Sequence, residues 1–562
     1  MSGTGNYNLK SVKLPRLTGR QLSVIAGALE GGLLKAAIMP NMLKTGGIEE
    51  FRLLSPLEPP TYLPLVRSDK QAAPMEAPDL KALGRIAGDG NDGGPYKSVR
   101  DYAAAFKDGK TTPEEVAFKA LDAIRQADSG DYKLRPFISV NEGDVLQQAK
   151  ASGERWKNGR PLSVLDGVPV AVKDEVDMVP YPTTVGTRFL GRNPVARDAT
   201  VVSRLRSAGA LLLGKANMHE IGINPDGLNV HYGSTRNPFN PKHDTGGSSS
   251  GPATAVAAGI CPVALGADGG GSIRIPAALC GVVGLKPTFG RLSEFGAAPL
   301  CWSVAHLGPI ADSVEDIAIA YLCMAGPDRG DENSLYQPAP AVEEWKKSDL
   351  KGVKLGVYRP WFEHAGADIV KICSSLLEKL AIAGARVVDI VIPDLDTLRI
   401  AHVVTILGEM AAAMSNYPEN RRDFGAEVRV SLSLGREFTA SDYIRAQRLR
   451  TRYMRIFKEI YSEVDAIITP ATAITAPEVT LEDASGGWSD LSSTTEVMRY
   501  AFPANMAGLP AISFPAGYDN LGLPVGMQAM GCWWEEDLLL RIAFVAEKTV
   551  ERRKPAVHFN LI

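Results

Sequence analysis

Helix and strand signals alternate along most of this 562-residue chain. That alternation predicts an α/β protein, a mostly parallel sheet covered by helices on both faces, preceded by an N-terminal helical extension. Two stretches carry the prediction. "PLSVLDGVPVAVKD" and "GALLLGK" read as short buried strands, and "DATVVSRLRSAG" between them reads as a helix ending at Gly209. "VKLGVY", the helical pattern through "IVKICSSLLEKLAIAG" and "ARVVDIVIP" repeat the same unit further on. A composition 45% hydrophobic and 22% charged supplies the core that such a sheet needs.

In chain order, the first element is "LTGRQLSVIAGALEGGLLKAAIM", which follows Lys10, Lys13 and Arg16. Arg20, Glu30 and Lys35 interrupt it, so it offers neither the ~18 uncharged residues of a spanning helix nor a clean signal sequence. Leu22, Ile25, Leu29 and Leu33 fall at helical spacing on one face. Such a stripe suits a helix packed on the body, and its sharper reading is a surface that touches a membrane or a lipid substrate. From Ser55 to Tyr96 prolines and glycines gather, as in a linker or a draped extension. The body begins at "SVRDYAAAFKDGKTTPEEVAFKALDAIRQA", where Thr112 caps a helix whose first turn holds Pro113 and Glu114. Residues 1–95 are therefore expected to form an extension, and 96–562 the main domain.

Composition excludes several classes of function. A formal net charge of −3 gives no bulk field toward nucleic acid. The six cysteines have no CxxC spacing and suit a reducing, intracellular compartment. The seven histidines form no HExxH motif or Cys/His cluster, so neither a metal nor another cofactor is expected.

Two short motifs mislead. "GALLLGKA" fits a phosphate-binding loop until Ala216 stands where Ser or Thr would ligate Mg²⁺, and its interior is a strand. "GSSSG" centres Ser249 in the pattern of a nucleophile elbow, but a loop precedes it where a strand is needed. His306, His364, His402 and His558 remain formally available to that alternative.

A more specific constellation joins three segments: Lys173 at the end of "VPVAVKDEVD", the serines of "TGGSSSGPATAVAAG", and Ser272 in "GADGGGSIRIPAALCG". In this order they resemble the amidase signature family, over a region from about Val99 to near the C-terminus with its most specific part at Gly246 to Arg291. "NMAGLPAISFPAGYDNLGLPVGMQAMG" resembles the family's C-terminal segment. The resemblance implies an α/β/α sandwich around a mixed, mostly parallel central sheet. It also implies a triad with Ser272 as nucleophile, Ser248 as the bridging serine on a cis peptide, and Lys173 as general base. One position departs: Ser250 stands where the common motif has glycine.

The chemistry of such a triad follows from its parts. A serine hydroxyl attacks a carbonyl only when a neighbouring base takes its proton, and a neutral amine can be that base. A second hydroxyl between them can pass the proton, because it donates and accepts at once. Val168, Val170 and Val172 alternate ahead of Lys173, which aims it to the opposite face. Consecutive glycines can turn their amides toward one point, so Gly269, Gly270, Gly271 and Ser272 are expected to hold the oxyanion. Asp268 and Arg274 flank the site and read as a structural ion pair.

Within the family, "LLLGKANMHEIG", "FTASDYIRAQRLRTRYM" and the N-terminal "LTG" and "FRLL" resemble the plant-type fatty acid amide hydrolases. The resemblance implies hydrolysis of N-acylethanolamines to fatty acid and ethanolamine and a homodimer, and the N-terminal apolar stripe adds the expectation of peripheral contact with the endoplasmic reticulum or another membrane. Ile406, Leu407, Met410 and Met414 lie at helical spacing and suit either core or an acyl channel. Two other readings stay open: an amidase for small aryl or indole amides or a glutaminase-like subunit, and an inactive scaffold that binds lipid amides.

Overall fold

The aliphatic run that ends in Lys173 forms one of eleven strands in a single sheet. The computed structural model describes residues 7–12, 15–68, 80–86, 96–342 and 344–562. In chain order the strands are β1 (Phe137–Ser139), β2 (Pro169–Lys173), β3 (Leu211–Ala216), β4 (Val263–Ala267), β5 (Val283–Lys286), β6 (Leu307–Ala311), β7 (Lys354–Val357), β8 (Arg386–Asp389), β9 (Ala466–Pro470), β10 (Ala511–Tyr518) and β11 (Pro524–Gly531). Their order across the sheet is β1, β3, β2, β4, β6, β5, β10, β11, β9, β7, β8.

The sheet is mixed. Parallel pairing joins β3, β2 and β4 at one side and β9, β7 and β8 at the other, the two places where strand, helix and strand alternate in the sequence. The middle strands and β1 pair antiparallel. Helix Thr200–Ser207 connects β2 to β3 and helix Ala367–Ile382 connects β7 to β8, as a parallel crossover requires.

Both faces are covered. Along β9, Ile467 packs into one apolar core while Ile468 packs into the other, and Ala511 and Ile512 of β10 divide the same way. One core includes helical residues from Pro113–Ala127, Val314–Met324, Ala367–Ile382 and Glu536–Glu547, and the other includes residues from Leu395–Met414 and Ala440–Ile460. The result is an α/β/α sandwich. Thr112 caps its helix as expected, its hydroxyl accepting from Glu115 N at 3.2 Å with Pro113 in the first turn.

The N-terminal stripe is interrupted. Helix Gly19–Leu29 ends, and helix Gly32–Thr45 leaves it at 102°. Leu22, Ala26 and Leu29 bury against Met39 and Val430, whereas Leu33, beyond the break, is 90% exposed. The cause is the Glu30-Gly31-Gly32 corner, where Gly32 takes a φ of +79° and rotates the next turn off the first helix's face. From Leu54 to Tyr62 the chain drapes along helix Ala440–Ile460, with Arg445, Arg448 and Arg450 donating to its carbonyls and Arg452 bridging Glu58 at 2.7 Å. The rest of the proline- and glycine-rich stretch lies mostly outside the described residues, as does Lys13.

Among the described residues one helix, Leu395–Met414, is long and apolar enough to cross a membrane, and more than half of its apolar window is buried within the protein. The bent pair Gly19–Leu29 and Gly32–Thr45 meets the same test only when taken together.

Under the N-terminal hairpin, helix Ala426–Gly435 carries Glu427, buried with Glu220 and Asp226 nearby. Burial, reinforced by those two acids, pushes its carboxyl up to about 8. A carboxyl raised in the folded state stabilises the fold fully below its unfolded value of about 4.3, and that contribution is lost as pH rises through the folded value. Glu427→Gln should therefore gain thermal stability relative to wild type between pH 5 and pH 8. A melting-temperature difference independent of pH over that range would contradict the assignment.

Candidate active site

The parallel run of β3, β2 and β4 brings the C-terminal ends of β2 and β4 side by side, with Val172 opposite Leu265. Lys173 closes β2, and Ala267 closes β4 immediately before "DGGGS". Lys173 is 1% exposed. Its Nζ donates to Ser248 Oγ at 2.9 Å and to Ala267 O at 3.2 Å, and it pairs with Glu175 Oε2 at 2.7 Å.

The serine cluster is tied to both strand ends. The Gly247–Ser248 peptide is cis. Ser249 N donates to Ser272 O at 3.2 Å, which fixes the cluster against the glycine loop. Ser249's own hydroxyl is occupied: it donates to Ala267 O at 3.1 Å and accepts from Ala267 N at 3.2 Å. A side chain bonded both ways to a strand backbone is a structural pin, so the nucleophile-elbow reading finds no built site at Ser249. Ser250 opens helix Ser250–Ala257 in ordinary helical backbone and places its Oγ 3.1 Å from Thr235 Oγ1, so its departure from glycine is accommodated.

The glycine run is required by close approach. A Cβ on Gly269 would lie 2.7 Å from Cys301 Sγ, one on Gly270 2.9 Å from His402 Cε1, and one on Gly271 2.6 Å from Ile275 Cδ1. Gly271 also holds a φ of +115°, a left-handed conformation that other residues rarely adopt. Ser272 follows, 9% exposed, the most accessible of Lys173, Ser248 and Ser272.

Arg274 organises the loop from beneath. Its Nε and Nη2 fork onto Asp268 at 3.0 and 3.1 Å, Nη2 also reaches Asn505 Oδ1 at 2.6 Å, and Nη1 reaches Gln528 Oε1 at 2.6 Å and Ala501 O at 3.1 Å. All five donors of the guanidinium are thereby satisfied. Burial alone would raise the Asp268 carboxyl, but Arg274, assisted by Lys286 and Asn505, holds it well below the usual carboxylate range. That carboxylate accepts from Gly271 N at 2.6 Å and Ile273 N at 3.1 Å. The ion pair thus moulds the backbone on either side of Ser272.

Two neighbours were not placed at this site by the sequence. His402, on helix Leu395–Met414, donates Nε2–H to Gly269 O at 2.8 Å; a carbonyl accepts only, so that nitrogen carries the proton. Burial pushes its imidazole down to about 4, so the ring is neutral. Glu175, two residues beyond Lys173, was visible in "KDEVD" only as one acid among several.

A 560 Å³ cavity opens beside the site, lined on its apolar side by Val185, Leu190, Leu300, Trp302, Met414 and Tyr417. Leu300 on its wall lies near Ser248, since a Cβ built on Gly222 would lie 3.2 Å from Ser248 Oγ and 3.8 Å from Leu300 Cδ1. The stripe on helix Leu395–Met414 divides accordingly. Met414 lines the cavity, Ile406 lies beside Gly269, and Met410 is core.

The fold and this cluster define an amidase-type hydrolase. The family model described as Amidase matches residues 120–540, and the chain belongs to that family, the amidase signature enzymes. The chain is 37% identical over 589 residues to a fatty acid amide hydrolase of Arabidopsis thaliana, covering 100% of this chain and 97% of that one. It is 40% identical over 478 residues to a fatty acid amide hydrolase of Medicago truncatula, covering 83% and 79% of the two chains. Among solved structures, the native peptide amidase of Stenotrophomonas maltophilia superposes with a TM-score of 0.69 at 29% identity, over 82% of this chain and 98% of that one.

Proposed function

We propose that the protein hydrolyses fatty acid amides, N-acylethanolamines in particular, to free fatty acid and ethanolamine through an acyl-enzyme on Ser272. The observation that carries the reading is the buried 2.9 Å contact between Lys173 Nζ and Ser248 Oγ, beside Ser272 at the ends of two adjacent parallel strands. Ser272 Oγ attacks the amide carbonyl as its proton passes to Ser248 and Ser248's proton passes to Lys173. The developing oxyanion is held by backbone amides, each worth ~3 to 4 kcal/mol of barrier. Because the Gly271 amide is engaged by Asp268, the amides of Gly269, Gly270 and Ser272 are assigned to it. Lys173 then returns the proton through Ser248 to the departing ethanolamine nitrogen, and water releases the acid by the reverse relay.

The apolar cavity beyond Leu300 supports a long acyl chain. The family match from residue 120 supports a catalytic domain over 96–562, with 1–95 as its extension. Exposed Leu33 and Leu34 at the N-terminal corner support peripheral membrane contact. A panel of amides tests the substrate assignment. Turnover should be highest for long-chain ethanolamides and at least about tenfold lower for acetamides and glutamine, because each buried methylene contributes ~0.8 kcal/mol. Equal or faster turnover of acetanilide or glutamine would replace the assignment with the aryl-amidase or glutaminase reading.

A further inference from the structure

Lys173 Nζ has three acceptors around it, Glu175 Oε2, Ser248 Oγ and Ala267 O, one for each hydrogen of an ammonium group. A base must instead present a lone pair to Ser248. The charged groups around the pair resolve this conflict in one direction. Cys301 senses the charges of both partners, and its thiol ionisation is pushed up, by burial first and then by Glu409 and Glu175. The Glu294 carboxyl is pushed well above the usual carboxylate range, by burial first and then by Asp331, Glu175 and Glu409. His219 faces Lys173 and is neutral, pushed down to about 4 by burial. Asp174, next to Lys173 in the chain, is committed to Lys215 at 3.3 Å and to the Thr184 hydroxyl. Among the described residues around the pair, Glu175 is thus the anion in contact with the lysine, and both are almost fully buried.

We propose that Glu175 is a positioning residue that sets the proton inventory of Lys173. Its carboxylate lies 2.7 Å from Nζ, and an opposite charge at this distance favours the ammonium that forms when the lysine takes a proton. Turnover requires the free amine at Nζ. The free amine then takes the proton relayed from Ser272 through Ser248, and Glu175, still a carboxylate, stabilises the ammonium that re-forms. The inference rests on Lys173 being the general base.

The test is the pH dependence of kcat/KM for the full chain against a long-chain ethanolamide, in wild type and Glu175→Gln. Glutamine keeps an oxygen acceptor for Nζ and removes the charge, so the acid limb should move to lower pH by about one unit or more. Glu175→Asn removes the same charge with a smaller side chain and should move the limb the same way if Glu175→Gln does not fold. A limb that coincides with wild type, or moves to higher pH, overturns the proposal. Lys173→Ala separates the two readings: residual turnover near wild type would remove Lys173 as base, whereas an inactive Lys173→Ala with an unmoved limb in Glu175→Gln would remove only the role of Glu175.

Discussion

Ser272→Ala should lose at least ~10³-fold in kcat while folding normally, and Lys173→Ala should lose as much, because members of one proton relay fail as a unit. The geometry separates this effect from loss of structure. Ser272 is the most accessible of the three residues, and its backbone conformation is imposed by Asp268 and the glycines rather than by its hydroxyl. Its removal leaves the loop standing. Lys173 is different, since alanine there leaves the Glu175 carboxylate buried without its partner, so some loss of stability should accompany the loss of rate. Steady-state kinetics beside thermal unfolding distinguishes the two variants. Near-wild-type kcat in Ser272→Ala would remove it from the chemistry.

The second large effect is on the fold. Arg274→Met should cost about 3 to 5 kcal/mol, because it strands a buried carboxylate together with the Asn505 and Gln528 acceptors. Activity should fall with it, since Asp268 anchors the Gly271 and Ile273 amides on both sides of Ser272. The urea midpoint reports the first consequence and fluorophosphonate labelling the second. A variant with the wild-type midpoint would mean that the network is dispensable.

Much of this architecture was legible in the chain because the signals were local. The strand that ends in Lys173 and the two strand, helix and strand units follow from runs of apolar residues bounded by caps and glycines. The antiparallel middle of the sheet was not legible, since β10 and β11 pair with β5 and β9 across long sequence separations that no local pattern encodes. The same limit applies at the site. Lys173, Ser248 and Ser272 could be read from motifs, but the partner of Arg274's second nitrogen is Asn505, 231 positions away, and His402 reaches Gly269 from a helix with no motif of its own. Leu33 shows the converse, because a periodicity that continued in the sequence was cut by a glycine corner.

If Ser272 is the nucleophile, it carries the fatty acyl group during turnover. Rapid-quench of the enzyme with a long-chain N-acylethanolamine, followed by peptide mass spectrometry, tests it directly. The expected result is the acyl mass on the peptide containing Ser272, absent in Ser272→Ala and formed before the fatty acid accumulates. An acyl group recovered on Ser249, or fatty acid released in a first-turnover burst with Ser272 unmodified, would contradict it.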